Sequence, residues 1–208
     1  MAKIILASSS LGRKMLLNYL KIPFIIIPSN LDEDKIFGKS LLDTLRLRAR
    51  LKAEKVAQSV SDGPYTILSA DSGAIVDNQL IGKPKDRADA VRILSLLSGR
   101  SHRFITSVHI IKIDKNKSKD KKTDPSSIVV YSGETESSVT LRKITSKEIN
   151  NYLDRTDFTR FAGSYALISA QDFITRVVGS LSNVIGLPLE IIIPLFDLIK
   201  TDIETILT

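Results

Sequence analysis

Cysteine is absent from this chain, which excludes disulfide frameworks, thiol nucleophiles and cysteine–zinc sites. Tryptophan is absent too, and aromatics make up only 6%, so no stacking platform for single-stranded nucleic acid is on offer. Histidine occurs only as His102 and His109. A catalytic metal would therefore be held mainly by oxygen ligands, which favours magnesium or manganese. Long apolar runs are missing as well. The longest candidate, Val184–Ile199, is interrupted by Gly186, Pro188, Glu190, Pro194 and Asp197, so no membrane span is expected. The N-terminal apolar run breaks at Ser8–Ser10, which is not a signal-peptide layout, and a cytoplasmic soluble protein is the expectation.

What is present is an ordinary globular composition over 208 residues, enough for one domain or two small lobes. The net charge of +7 suits an anionic ligand. Lys112–Ser127 carries six lysines against three aspartates and reads as a solvated loop between strands rather than a nucleic-acid arm.

Lys3–Leu6 and Phe24–Pro28 read as buried strands around a helix over Gly12–Leu20. Ser40–Val60 reads as a long helix, with Leu41, Leu45, Ala49, Ala53 and Val56 at helical spacing and basic residues between them. Thr66–Ala70 and Ala74–Val76 read as strands flanking a turn at Asp71. Asp86 is placed to cap a helix ending at Gly99. Arg103–Ile113, a segment from Ile128, Ser138–Arg142, Ser164–Ser169 and Phe173–Val178 read as further strands. Thr145 and Glu148 have capping-box spacing, and Pro188 is placed to open the last helix. Strands outnumber a clean β-α-β alternation, so the expected architecture is α/β with a mixed twisted sheet.

Two stretches look built for a polyanion. In Ala7-Ser8-Ser9-Ser10-Leu11-Gly12-Arg13-Lys14 a strand, a hydroxyl-rich turn and a helix start follow one another, and a helix start favours phosphate. Ser69-Ala70-Asp71-Ser72 and Gly82-Lys83-Pro84 offer a carboxylate and a cation in a rigid turn. Arg13 in a first helical turn conflicts with the dipole unless an anion is near. Each residue also has a plainer reading. Asp71 suits a turn aspartate, Lys83 an exposed turn lysine, Lys52 a surface cation on a basic helix, and Ser8 and Ser10 helix capping.

These two stretches, with Leu97-Ser98-Gly99-Arg100-Ser101-His102 and Ser182-Asn183-Val184-Ile185-Gly186-Leu187-Pro188-Leu189, resemble the Maf family. Its members are nucleoside triphosphate pyrophosphatases related in fold to the inosine triphosphatases. The blocks run in family order across nearly the whole chain. The resemblance implies one elongated α/β domain with two lobes around a cleft. It also implies hydrolysis of a nucleoside triphosphate to the monophosphate and pyrophosphate, a divalent cation (Mg²⁺ or Mn²⁺) and frequent homodimers. It implies that Asp71 is the base or a metal ligand and Glu33 the second acidic ligand, with Asp32 and Asp34 as neighbouring candidates. Arg13, Lys52 and Lys83 become phosphate contacts, with Ser8 and Ser10 fixing the phosphates. His102 is expected to be structural.

Several positions depart from the family. Leu11-Gly12 stands where Pro-Arg is usual. Ser72 stands where the dTTP/UTP subgroup tends to show threonine and the 7-methyl-GTP subgroup glutamine. Ile168 replaces a glutamine or glutamate. Ala162-Gly163-Ser164-Tyr165 looks closer to the 7-methyl-GTP subgroup, whereas Ser182–Leu189 looks like the dTTP/UTP subgroup. Gly12, Ser72 and Ile168 are thus the expected specificity positions, and a pocket lacking polar readers discriminates weakly. The alternatives to an enzyme are a nucleotide-binding regulator of cell division with little catalysis and a nucleic-acid-binding module driven by charge.

Overall fold

Ser10, Ser40, Asp86 and Thr145 each turn the chain into a helix by accepting a backbone N–H with a side-chain oxygen, which fixes where α1, α2, α3 and α4 begin. In the computed structural model, which describes residues 3–60, 64–113 and 128–198, these helices run Leu11–Tyr19 (α1), Leu41–Ser59 (α2), Arg87–Leu97 (α3) and Ser146–Arg155 (α4). Thr145 and Glu148 complete the anticipated capping box. Two further helices follow, Leu181–Ile185 (α5) and Leu189–Leu198 (α6). The latter opens one residue after Pro188.

The strands are Lys3–Leu6 (β1), Phe24–Ile26 (β2), Tyr65–Val76 (β3), Gln79–Ile81 (β4), Ser101–Ile113 (β5), Ile128–Leu141 (β6) and Ile174–Val178 (β7). They form a seven-stranded sheet in the order β2-β1-β3-β5-β6-β7, with β4 paired to β3. β1 is parallel to β2 and β3, while β3–β4 and β6–β7 are antiparallel, so the sheet is mixed as expected.

Three sequence expectations are corrected. β3 runs unbroken through Asp71, because the small polar residues Ser69–Gly73 stay in the ladder instead of turning. β6 is one strand, not two. Its polar middle reads like a break in sequence but remains paired in the sheet. No strand forms over Ser164–Ser169. Gly163 and Ser164 take left-handed backbone (φ 74° and 61°), and the Ala166 N–H is claimed by the Tyr152 hydroxyl at 3.1 Å. The short β4 was not anticipated. It returns through Asp77 and Asn78, both left-handed, in a two-residue hairpin turn. From residue 114 on, the lysine-rich segment lies outside the described residues. Among those described, no helix is long and apolar enough to cross a membrane.

The chain divides into two compact units: Met1–Asp71, Ser107–Glu134 and Leu189–Thr208 in the first; Ser72–Thr106 and Thr135–Pro188 in the second. In the first, α2 lays Ala53 and Val56 on Ile5, Ala7, Ile67 and Ile111. Ser69 ties the same helix to the sheet, its Oγ donating to the Ala49 carbonyl at 2.6 Å. In the second, α3 and α4 bury Ile93, Leu94, Leu97, Ile149, Tyr152 and Leu153 with Phe104, Val139 and Phe173.

His102 belongs to the second core. It is 3% exposed, with Nε2 at 2.8 Å from the Tyr165 hydroxyl. Burial pushes its pKa down to about 4. Between the ordinary histidine value of about 6.5 and about 4, the unfolded chain binds a proton that the folded chain refuses, so stability falls as pH drops through that window. Denaturant unfolding at pH 7 and pH 4.5 should show the wild-type chain losing about 2–3 kcal/mol more than His102→Gln over that step. Equal losses would remove His102 as the cause.

Candidate active site

The first unit gathers four charged side chains that sequence reasoning had drawn from distant segments. β1 ends at Leu6, and Ala7 N–H bonds to the Leu68 carbonyl at 2.8 Å, holding the departing chain against β3. The Ser8–Ser10 turn then starts α1. Ser8 Oγ accepts from Ser10 N–H at 3.2 Å and from Arg13 Nη1 at 2.9 Å, so its lone pairs are engaged and its O–H is the donor it has to offer. Arg13 is 8% exposed in a first helical turn that holds no acidic residue.

Lys52 projects from the middle of α2. Its ammonium lies 2.6 Å from Asp71 Oδ1, 3.0 Å from Glu33 Oε1 and 3.5 Å from the Ala70 carbonyl. Lys52 is 5% and Asp71 4% exposed, so the pair is buried. The plain reading of Lys52 as a surface cation is therefore overturned. A signal was available: Lys52 falls three residues after Ala49 and four before Val56, inside the apolar stripe rather than opposite it. Of the three neighbouring acids, Glu33 is the one that reaches Lys52, while Asp32 pairs with Lys35 at 2.8 Å.

The electrostatics divide the two carboxylates. Burial raises the Asp71 pKa above the usual carboxylate range, Lys52 pulls against it, and the Glu33 charge pushes it further up. Burial acts on Glu33 in the same direction. There, however, Lys52, a hydrogen bond from Asp71 and the Arg13 charge together prevail, and Glu33 lies below its ordinary value. Asp71 is thus the weaker acid of the pair and Glu33 the stronger. Arg13 is lowered by burial, opposed by Asp71 and then Glu33. With Asp71 ionised, its Oδ2 is buried without a hydrogen-bond partner.

Glu33 is held in place by contacts that the sequence did not advertise. Its short 3₁₀ turn, Glu33–Lys35, is strapped to α2 by Arg48 Nε on the Ile36 carbonyl at 3.1 Å and Lys55 Nζ on the Asn30 carbonyl at 2.8 Å. Arg48 also stacks over Phe37 at 5.8 Å. Gly38 closes the loop against the start of α2, where a Cβ would stand 2.5 Å from Asp43 backbone. Several cations of that basic helix are thus ties for the Glu33 loop.

The remaining expected residues are Gly12 in the first unit and Ser72, Lys83 and Ile168 in the second. Gly12 sits half-buried in the first turn of α1. In the second unit, Lys83 is exposed beyond β4, between Gly82, whose carbonyl accepts from Gly163 N–H at 3.0 Å, and the buried Pro84. Ser72 Oγ is 2.9 Å from Thr106 Oγ1, and Ile168 is 57% exposed. Two open surface depressions of about 450 and 300 Å³ carry arginines already paired with acids, Arg100 with Asp77 and Arg46 with Glu134.

A parallel β1–β3 pair, a serine turn opening a helix and a buried carboxylate–cation cluster define a mixed α/β protein equipped for an anionic ligand. Residues 3–199 match the family model described as Maf-like protein, and the chain belongs to that family. A dTTP/UTP pyrophosphatase of Caldanaerobacter subterraneus subsp. tengcongensis is 33% identical over 96% of this chain and 89% of its own. Proteins of the same name from Ruminiclostridium cellulolyticum and Alkaliphilus metalliredigens are 34% and 36% identical, each over 91% of this chain and 92% of its own. A solved Ham1 protein of Staphylococcus aureus has a TM-score of 0.38 at 18% identity, covering 66% of this chain and 72% of that one.

Removing one strap should loosen only the Glu33 loop. Hydrogen exchange on Arg48→Ala is expected to quicken at residues 33–37 while the middle of α2 stays protected. Uniformly faster exchange along α2 would mean that Arg48 supports the helix instead.

Proposed function

We propose that this chain is a nucleoside triphosphate pyrophosphatase that hydrolyses NTP or dNTP to the monophosphate and pyrophosphate, clearing non-standard or modified nucleotides. The observation that carries the reading is the Asp71 carboxylate: buried, raised in pKa, and facing both a second acid and two cations. A carboxylate raised in this way is a better proton acceptor for a water nucleophile than an exposed aspartate. Asp71 orients the water and takes its proton as the water attacks the α-phosphorus, and pyrophosphate leaves. Glu33, kept ionised, holds up the basicity of Asp71. Arg13, Ser8 and Ser10 bind the phosphates, with the Ser8 O–H as donor. Lys52 and Lys83 complete the proposed set of cations, and electrostatic preorganisation supplies most of the acceleration.

A divalent cation, Mg²⁺ or Mn²⁺, fits the residues present. The donors are all oxygen, Asp71 Oδ2 is buried without a hydrogen-bond partner when the carboxylate is ionised, and magnesium characteristically takes one or two carboxylates plus substrate phosphates. Asp71 and Glu33 would hold it. When bound, such an ion offsets charge on the phosphates as a Lewis acid.

The relatives' name makes dTTP and UTP the first substrates to try. At the expected specificity positions, Gly12 and Ile168 offer a base no polar side chain, and the Ser72 hydroxyl is already engaged with Thr106. Broad base preference follows. The reading also includes a cytoplasmic location and a homodimer, the latter open to light scattering.

Pyrophosphate release from dTTP, UTP, CTP and 7-methyl-GTP, each with magnesium and with manganese, tests the reading. Turnover of several bases at comparable kcat/KM is expected, and release of orthophosphate alone would contradict it. Asp71→Asn should lower kcat by a factor on the order of 10²–10⁴ with the fold kept, as judged by circular dichroism. Full activity in that variant would take Asp71 out of the mechanism. Lys83→Ala should raise KM more than it lowers kcat, and unchanged kinetics would strike Lys83 from the binding set.

A further inference from the structure

An ammonium has three N–H donors. Those of Lys52 meet three acceptors of its own chain: Asp71 Oδ1 at 2.6 Å, Glu33 Oε1 at 3.0 Å and, more weakly, the Ala70 carbonyl at 3.5 Å. Nothing is left over for a phosphate. Lys52 at its observed position is therefore not a phosphate clamp. It becomes one only by letting go of one of these acceptors, and it leaves the carboxylates free only when phosphate oxygens replace them. The carboxylates are in the mirror-image position. They are the oxygens proposed to receive a divalent cation, and a cation already lies against both.

We propose that Lys52 is a resident counter-ion that competes with the divalent metal for Asp71 and Glu33 and yields to it only when a triphosphate draws the ammonium away. This inference rests on the reading under Proposed function and adds an order to it: metal and nucleotide enter together, and metal alone is held off.

Charge sets the direction. Arg13 and Lys52, both buried, balance buried Asp71 and half-exposed Glu33 when both acids are ionised, so the cluster is formally neutral. A divalent ion arriving alone would leave two uncompensated positive charges in a desolvated site, where unpaired charge is most costly. A triphosphate tail reverses the balance. It offers Lys52 new acceptors and makes the added positive charge favourable. Each ligand then raises affinity for the other by the same factor, as linkage requires. The burial of Lys52 makes the competition strong, since a solvent-exposed ammonium would be screened and would hardly exclude an ion.

Mn²⁺ binding, followed by the loss of the free-ion signal in electron paramagnetic resonance, tests this without any turnover. The wild-type chain alone should bind Mn²⁺ weakly. Lys52→Met, which removes the competing charge and keeps most of the stem, should bind at least tenfold more tightly with no nucleotide present. Lys52→Arg, which keeps the charge, should stay within about threefold of wild type. Adding Asp71→Asn to Lys52→Met should abolish the gain. If Lys52→Met does not fold, Lys52→Gln is read in the same way. Binding to the neutral variant no tighter than wild type overturns the proposal, and so does tight binding to Lys52→Arg. The two readings fail separately. Turnover in the nucleotide panel with no gain in Lys52→Met sinks the competition and leaves the enzyme. A gain in Lys52→Met with no turnover of any triphosphate sinks the enzyme and leaves the competition.

Discussion

A buried ammonium shared by two carboxylates governs the first unit of this protein. Lys52, Asp71 and Glu33 come from a helix, a strand and a loop; Lys52 and Asp71 are buried against each other, and half-exposed Glu33 closes the set. Removing either Lys52 or Asp71 strands the other charge in a desolvated site, a loss on the order of 3–5 kcal/mol. The same set pushes the pKa values of its two acids apart, Asp71 upward and Glu33 downward, and acid–base chemistry uses such a division.

The fold serves this cluster through short-range devices. Ser69 pins α2 to β3, which brings Lys52 over Asp71. Ser40 fixes where α2 begins, and Gly38 allows the preceding loop to press against that start. Arg48 and Lys55 then strap the Glu33 turn to the side of α2. On the other flank, β1 delivers the Ser8–Ser10 turn beside β3, and Arg13 is folded back onto Ser8. The acid–base centre and the helix N-terminus, two features that each favour phosphate chemistry, are thus parts of one unit.

Much of this was legible in the amino-acid order, because some signals are local. Caps at Asp86 and Thr145 depend on residues three positions apart and are legible in the sequence, as is capping at Ser10 as the plainer reading of that serine, whereas Ser40, read as the first residue of its helix, is its cap. Asp71, Glu33 and Arg13 were reached through motif blocks, and the structure brings all three together. The misreadings share one cause. Ser69–Gly73 and the middle of β6 look like turns by composition, yet neighbouring strands supply ladder partners that no local pattern reveals. Lys52 is an expected phosphate contact, but its burial was hidden differently. Arg46, Arg48, Arg50 and Lys55 surround it in sequence and make the helix look uniformly solvated, although its spacing from Ala49 and Val56 placed it on the buried side.

The central claim is that the carboxylate pair of the first unit, buried Asp71 with Glu33, directs water at the α-phosphorus of a nucleoside triphosphate. Hydrolysis in ¹⁸O-enriched water, with mass spectrometry of both products, tests it most directly. The account requires the label in the nucleoside monophosphate and none in pyrophosphate. Label in pyrophosphate, or in orthophosphate released beside a diphosphate, would place the attack at another phosphorus and contradict it.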